Sequence, residues 1–290
     1  MQSKAQPFDP RQQMQRQGFE VFHYLDAALD SVSVHHHDFY EIYLFLAGNV
    51  DYSIEGCEYH LEPGDLLLIN PLELHQMKVN DARSTYERIV LWISTAYLGR
   101  LSTPDTSLTL CFDHSRPGHS NLLRPDKTCG LQVIMTELLR EFYSSEYGHE
   151  TAAAALLLRF MVELNRLALH SPPVAAAPAE DRSTRLIRQV LIYINDHCHQ
   201  ELSLDQLSAA FFISKYHLSH EFQRLVGTSV YRYITQKRLV IAKQLLSGGV
   251  APTGVYRNCG FRDYANFYRA FKAEYGVSPS EYSAWVEKGE

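Results

Sequence analysis

The feature that most constrains this chain is an internal repeat near its C-terminus. At an offset of 49 residues, Leu218, Phe222, Gly227, Ser229 and Tyr233 reappear as Phe267, Phe271, Gly276, Ser278 and Tyr282. Upstream the offset is 48, pairing Leu207 with Val255 and Ile213 with Phe261, so the second copy carries one extra residue in its turn. The spacing predicts, in each copy, a helix, a short turn, a second helix and a stop at glycine.

In the first copy Leu218, Phe222 and Leu225 follow an i, i+4, i+7 pattern and should face inward. Tyr216, Ser219, His220 and Gln223 are left on the outer face. Ser214 stands where an N-cap is wanted, so the first turn can present free N–H groups to a phosphate. In the second copy Phe267 and Phe271 point inward, leaving Tyr264, Ala265, Tyr268, Arg269 and Lys272 outside. Arg269 has the planar fork that reads guanine bidentately. Lys215, Arg224 and Lys272 are phosphate-contact candidates, with solvated surface charge as the competing assignment. Between the copies, Tyr231–Leu246 has an apolar stripe of Leu239, Ala242, Leu245 and Leu246. A rigid helix there would set two recognition helices on successive major-groove segments, about 34 Å apart. A generic helical bundle accounts for the Leu and Phe positions but not for polar, basic faces at the same place in both copies.

Charge is divided accordingly. Residues 181–290 hold 14 Lys+Arg against 10 Asp+Glu, whereas residues 1–180 hold 13 against 23, so the net charge of -6 hides a basic segment. About residues 185–286 resemble the DNA-binding domain of the AraC/XylS family of bacterial transcription regulators. The resemblance is carried by Leu204–Ser208, Ser214–Phe222, Arg238–Ala242, Cys259–Phe261 and Phe271–Tyr282. It implies base-facing roles for Tyr216, Ser219, His220, Tyr264, Ala265 and Arg269, with double-stranded operator DNA and RNA polymerase as partners. Pro252 and Tyr256 depart from the family pattern, where an aliphatic and a small residue are usual.

The first ~95 residues read as short alternating strands: Ser31–Val34, Glu41–Leu46, Val50–Ile54, Glu58–Leu61, Asp65–Ile69 and Tyr86–Ile93. Close, even spacing implies an antiparallel sandwich or small barrel. Within it, His35-x-His37-x3-Glu41 can converge on one inward site, with His75 as a fourth ligand expected at the end of a later strand. This stretch resembles the first motif of the cupin family. The resemblance implies a double-stranded β-barrel and, where the ligands are kept, a divalent ion such as Zn, Ni, Mn or Fe. The alternative is a pocket without metal, in which His35, His37 and His75 hydrogen-bond a sugar or small organic acid and Tyr40, Tyr43 and Trp92 line the walls, core packing being the competing role for those three.

Residues 131–169 predict two helices, with apolar positions Leu131, Ile134, Leu138 and Phe142, then Ala155, Leu158, Val162 and Leu169. That stripe must be covered either by a second copy in a homodimer or by the chain's own barrel. Ser171–Ala179, rich in Pro and Ala, reads as a linker. The organisation expected is α+β and multidomain: a cupin-like barrel over 1–110, a helical hairpin over 111–170, a linker over 171–181, and an all-α double helix-turn-helix over 182–290. Five scattered cysteines without a C-x-x-C pair indicate reduced thiols. The absence of an apolar leader or an 18-residue apolar run points to the cytoplasm and away from membranes. The function expected is an effector-responsive transcription regulator; the alternative is a cupin metalloenzyme, an isomerase or dioxygenase, fused to a DNA-binding domain.

Overall fold

The computed structural model describes residues 14–288, apart from 28, 30, 72, 82–84, 114–115, 117, 127–129 and 171–181. The proposed linker lies outside the described residues. The chain divides into two compact units, residues 1–179 and 180–290.

The first unit opens with eight strands: β1 (Phe19–Asp26), β2 (Ser31–His35), β3 (Phe39–Ala47), β4 (Val50–Ile54), β5 (Cys57–His60), β6 (Leu66–Ile69), β7 (His75–Val79) and β8 (Tyr86–Ser94). A two-residue β9 (Leu122–Leu123) follows later. They form a five-stranded sheet in the order β1-β8-β3-β6-β9 and a four-stranded sheet in the order β2-β7-β4-β5. Every assigned pairing is antiparallel. Strands β1 and β7 were not anticipated, and His75 begins a strand instead of ending one. The β4–β5 hairpin closes on Glu55-Gly56, both at positive φ (49° and 77°), the pair of conformations a tight two-residue turn demands.

Two apolar layers hold this unit. Alternation along β3 sends Phe39, Tyr43 and Phe45 between the sheets, where they meet Val50, Tyr52, Ile54 and Met77. The intervening Ile42 and Leu44 point the other way, onto α1 (Thr95–Leu101), α2 (Leu131–Phe142) and α3 (His149–His170). Because β3 and β8 are covered on both faces, they read as nearly unbroken apolar runs. The hairpin is therefore covered by the chain's own sheet through Ile134, Met135, Leu138, Leu157, Phe160, Met161 and Leu164. Each such side chain contributes about 1.5–3 kcal/mol by burial. The face expected on α3 was the wrong one: Leu158 and Leu169 are 37% and 50% exposed.

The second unit comprises α4 (Arg182–His197), α5 (Leu204–Ala210), α6 (Lys215–Val226), α7 (Val230–Ser247), α8 (Pro252–Asn258), α9 (Tyr264–Tyr275) and α10 (Pro279–Lys288). The repeat is literal in these bounds, since α8 starts and ends 48 residues after α5 and α9 does so 49 after α6. The long α7 joins the copies. Its first half meets the first copy through the Phe222–Tyr233 edge contact. Its second half packs Leu239, Ala242 and Leu246 with Val255, Phe267 and Phe271. Pro252 occupies the first turn of α8, where a missing N–H costs nothing. Tyr256 is accommodated at the edge of this core, against Tyr264.

Candidate DNA interface and sensor site

Each second helix of the repeat is built in the same way. Ser214 caps α6 by accepting from His217 N, and Asp263 caps α9 by accepting from Asn266 N. Gly227 and Gly276 end them in the left-handed conformation. Leu218, Phe222 and Val226 are the buried apolar positions of α6, with Glu221 buried beside them, so the inward apolar row runs i, i+4, i+8; Leu225, expected there, is only half-buried. Lys215, Tyr216, Ser219, His220, Gln223 and Arg224 are exposed together on α6. On α9 Ala265, Arg269 and Lys272 are exposed, whereas Tyr264 and Tyr268 are half-buried.

The two outer faces differ in how their charges are tied. On α6 the Arg224 guanidinium donates twice to Glu221 Oε2, at 3.0 and 2.6 Å, and His220 Nδ1 lies 3.0 Å from Glu221 Oε1. These bonds, Arg224's first, pull the Glu221 carboxyl down to about 2. Lys215 pairs with Asp205 of the preceding helix. On α9 the Arg269 guanidinium lies back on its own helix, donating to Asn266 Oδ1 at 2.5 Å. Lys272 has no ion-pair partner among the described residues.

In the first unit, His37, Glu41 and His75 converge between the sheets, all buried, with candidate ligand atoms within 4.8 Å of one another. Glu41 Oε2 is 3.0 Å from His37 Nε2 and 3.5 Å from His75 Nε2, and Trp92 Nε1 donates to Oε1 at 3.0 Å. His35 faces His75 across the β2–β7 pairing, ring centroids 4.1 Å apart. His37 Nδ1 lies 2.9 Å from the Phe39 carbonyl and His75 Nδ1 lies 3.0 Å from the Glu73 carbonyl. A carbonyl only accepts, so both Nδ1 atoms carry protons; His37 Nε2 is hydrogen-bonded to the Glu41 carboxylate, whereas in a neutral His75 ring Nε2 presents a lone pair to the cluster. Burial, then the charges of His35 and His37, holds His75 well below the usual histidine range. For Glu41 burial pushes upward, but the His37 and Trp92 hydrogen bonds, with the coulombic influence of His37 and His35, outweigh it and lower the carboxyl.

Of the three aromatic candidates, Tyr43 and Trp92 line the adjacent cavity and Tyr40 does not. Its position on β3 has the opposite parity, and its ring packs on Phe112 in the helix-side layer. Sequence reasoning also missed Tyr24, Tyr52, Tyr86 and Arg88, which line the same cavity. Parity would have found the last two, since residues 86, 88, 90 and 92 of β8 share the inward face. Arg88 is almost fully buried, paired with Asp26 and set over the Tyr86 ring. The cavity itself measures about 20 Å³, room for a single water or ion.

Comparison with known proteins follows the same division. Residues 20–97 match the AraC-like ligand binding domain, and residues 207–284 match a helix-turn-helix domain family. The probable transcriptional regulator LumQ of Photobacterium leiognathi is 25% identical over 259 residues, 88% of this chain and 94% of its own. The arabinose operon regulatory protein of Escherichia coli is 27% identical over 238 residues, 81% of this chain and 76% of its own. Among solved structures, fatty-acid-bound ToxT from Vibrio cholerae aligns over 96% of this chain and 99% of its own, at 14% identity and TM-score 0.40. No described helix is long and apolar enough to cross a membrane.

Proposed function

We infer that this chain, which belongs to the AraC/XylS family of transcription regulators, reads a composite DNA site with α6 and α9 and adjusts that binding to a small effector held by its first unit. The observation that carries the DNA reading is the pair of capped helices, in register at 49 residues, each with its apolar row buried and its polar row exposed. Base contacts fall to Tyr216, Ser219, His220 and Gln223 on α6 and to Tyr264, Ala265, Tyr268 and Arg269 on α9. Lys215 and Lys272 then meet phosphates, Lys215 by exchanging Asp205 for DNA, while Glu221 holds Arg224 back from the phosphate it would otherwise reach. Selection of bound fragments from a random duplex pool by the full chain tests this. Enrichment of one bipartite sequence supports it, and recovery of unenriched DNA overturns it.

For the effector, the internal cavity holds a sugar or organic acid only if Tyr43, Tyr52 and Tyr86 give way. A specific observation favours an ion beside it, at the His37–Glu41–His75 cluster. Both histidines are anchored through Nδ1 by backbone carbonyls, the outer support that orients metal ligands, and both Nε2 atoms converge on a carboxylate oxygen. His37, Glu41 and His75 would hold a divalent cation, with His35 beside it. Such an ion would supply fixed positive charge that locks the β2–β3 link, β3 and β7 together. We assign it no catalytic role, because the cavity leaves no room for a substrate beside it. Metal analysis of purified protein, against a His37→Ala, His75→Ala variant, checks this: one divalent ion per chain lost in the variant is the expected result.

A homodimer through the outer face of the hairpin, with exposed Val133, Leu158 and Leu169, is the assembly we propose. RNA polymerase is the further partner that membership of the family suggests, and the cytoplasm is the compartment in which these partners meet.

A further inference from the structure

A second and larger cavity lies outside the barrel, where β1, α1, α2 and the start of α3 meet. Its volume is about 350 Å³, within the range of small-molecule sites. Phe19, Tyr97 and Phe142 supply aromatic walls, and Gly18, Ala153 and Ala154 keep the floor open. Three polar groups stand at it. The Arg16 guanidinium lies 4.4 Å above the Phe142 ring. Its backbone is pinned, because Glu20 Oε1 accepts from both Gln15 N and Arg16 N at 3.1 Å. Glu150 lies in the first turn of α3. His149 Nδ1 is buried with no hydrogen-bond partner among the described residues. Neither Arg16 nor Glu150 has an ion-pair partner among them.

A cation whose neighbouring acid, Glu20, is too far for an ion pair, an unpaired anion and an unsatisfied imidazole around an aromatic slot suit a ligand that carries both charges on an apolar body. We propose that this cleft binds a small zwitterion, an amino acid with an aromatic or branched aliphatic side chain. Its carboxylate meets Arg16 and His149, its ammonium meets Glu150, and its side chain stacks among Phe19, Tyr97 and Phe142. The proposal rests on reading the first unit as a sensor. It adds where the effector sits and what it is, and it gives a route for the signal: the ligand touches both the sheet edge and the hairpin, so it favours whichever seating of α2 and α3 binds it better.

Calorimetric titration of the full chain with L-phenylalanine, 3-phenylpropanoate and 2-phenylethylamine tests this. The expected result is one L-phenylalanine per chain with a Kd below about 1 mM, and each single-charge analogue weaker by roughly tenfold or more. Arg16→Ala and Glu150→Gln, both at exposed positions, should each weaken L-phenylalanine by a similar factor while unfolding at the parent temperature. Absence of heat with L-phenylalanine overturns the proposal. So does equal binding of 3-phenylpropanoate, or undiminished binding to the Glu150→Gln variant. Gel-shift measurement on the same preparations separates the two readings. Specific DNA binding without ligand binding removes this site alone, whereas ligand binding without sequence-specific DNA binding removes the regulator reading alone.

Discussion

The two copies of the repeat solve the same turn with different residues. Phe212 in the first and Gly260 in the second stand 48 residues apart, and both take positive φ, 54° and 89°. Phe212 is 95% exposed, so only its backbone is strained. Gly260 lies against the end of α4, where an added Cβ would strike the Cys198 carbonyl oxygen and come within 2.9 Å of Arg238 Nε. Arg238, midway along α7, in turn donates to the Cys198 and Gln200 carbonyls at 2.8 and 2.9 Å. The second copy's turn is thus part of a seam that ties α4 and α7 together. The first copy's turn is a loop tip. One backbone conformation serves as a structural joint in one place and as an exposed corner in the other.

The largest effect should come from breaking that seam. Gly260→Ala combines a backbone clash with a conformation alanine resists, and we expect a loss of about 3 kcal/mol. Denaturant titration followed by far-UV circular dichroism measures it. A loss below about 1 kcal/mol would mean that the joint is loose and that α4 is not fixed by it.

Next in size is the asymmetry in base reading. Arg269 carries the bidentate fork, whereas the polar row of α6 has no free arginine, Arg224 being held by Glu221. Arg269→Ala should cost ~1–3 kcal/mol and relax preference at one base pair. The same affinity loss on every sequence would make Arg269 a phosphate contact. His220→Ala, on the first copy, should cost less.

Much of this contrast is visible along the chain and some is not. The repeat is legible because a cap such as Ser214 and the rows Leu218/Phe222 and Phe267/Phe271 are local patterns that need no partner. Strands β3 and β8 are legible for a similar reason, since burial on both faces leaves long apolar runs. Strand β1 interleaves Glu20, His23 and Asp26 with its apolar residues, and β7 carries Gln76 and Lys78, so neither stands out. Helix α3 is apolar on two sides, and only the sheet it packs on decides that Leu157 and Phe160 go in while Leu158 stays out. Spacing led us to expect His35, His37, Glu41 and His75 to meet, and the structure brings the last three together with His35 beside them. That the adjacent cavity would be filled by Tyr52, Tyr86 and Arg88, from two strands, was not foreseen, because volume is set by side chains distant in sequence.

A smaller effect sharpens the turn comparison. Left-handed backbone at a bulky residue costs roughly 1 kcal/mol, and asparagine tolerates it better than phenylalanine. Phe212→Asn should therefore raise stability by up to about 1 kcal/mol. Destabilisation would show that the Phe212 ring has a partner in the folded state, contrary to its exposure.

The smallest expected effect separates the two outer faces by charge. Glu221 is held at about 2 by Arg224 and His220, below the ordinary glutamate value, so the ion pair adds stability that is fully present above about pH 4.5 and fades as pH falls toward 2. With Arg224 47% exposed, its contribution should stay below about 1 kcal/mol. Glu221→Gln should lower stability by that amount at neutral pH and by progressively less in acid, the two proteins converging near pH 2. The same substitution releases Arg224 toward phosphate. The dependence of DNA affinity on salt should then steepen by up to about one unit in log–log slope. An unchanged slope would show that Arg224 already leaves Glu221 when DNA binds, or never reaches a phosphate; the Arg224→Ala slope decides between them, falling in the first case and staying level in the second.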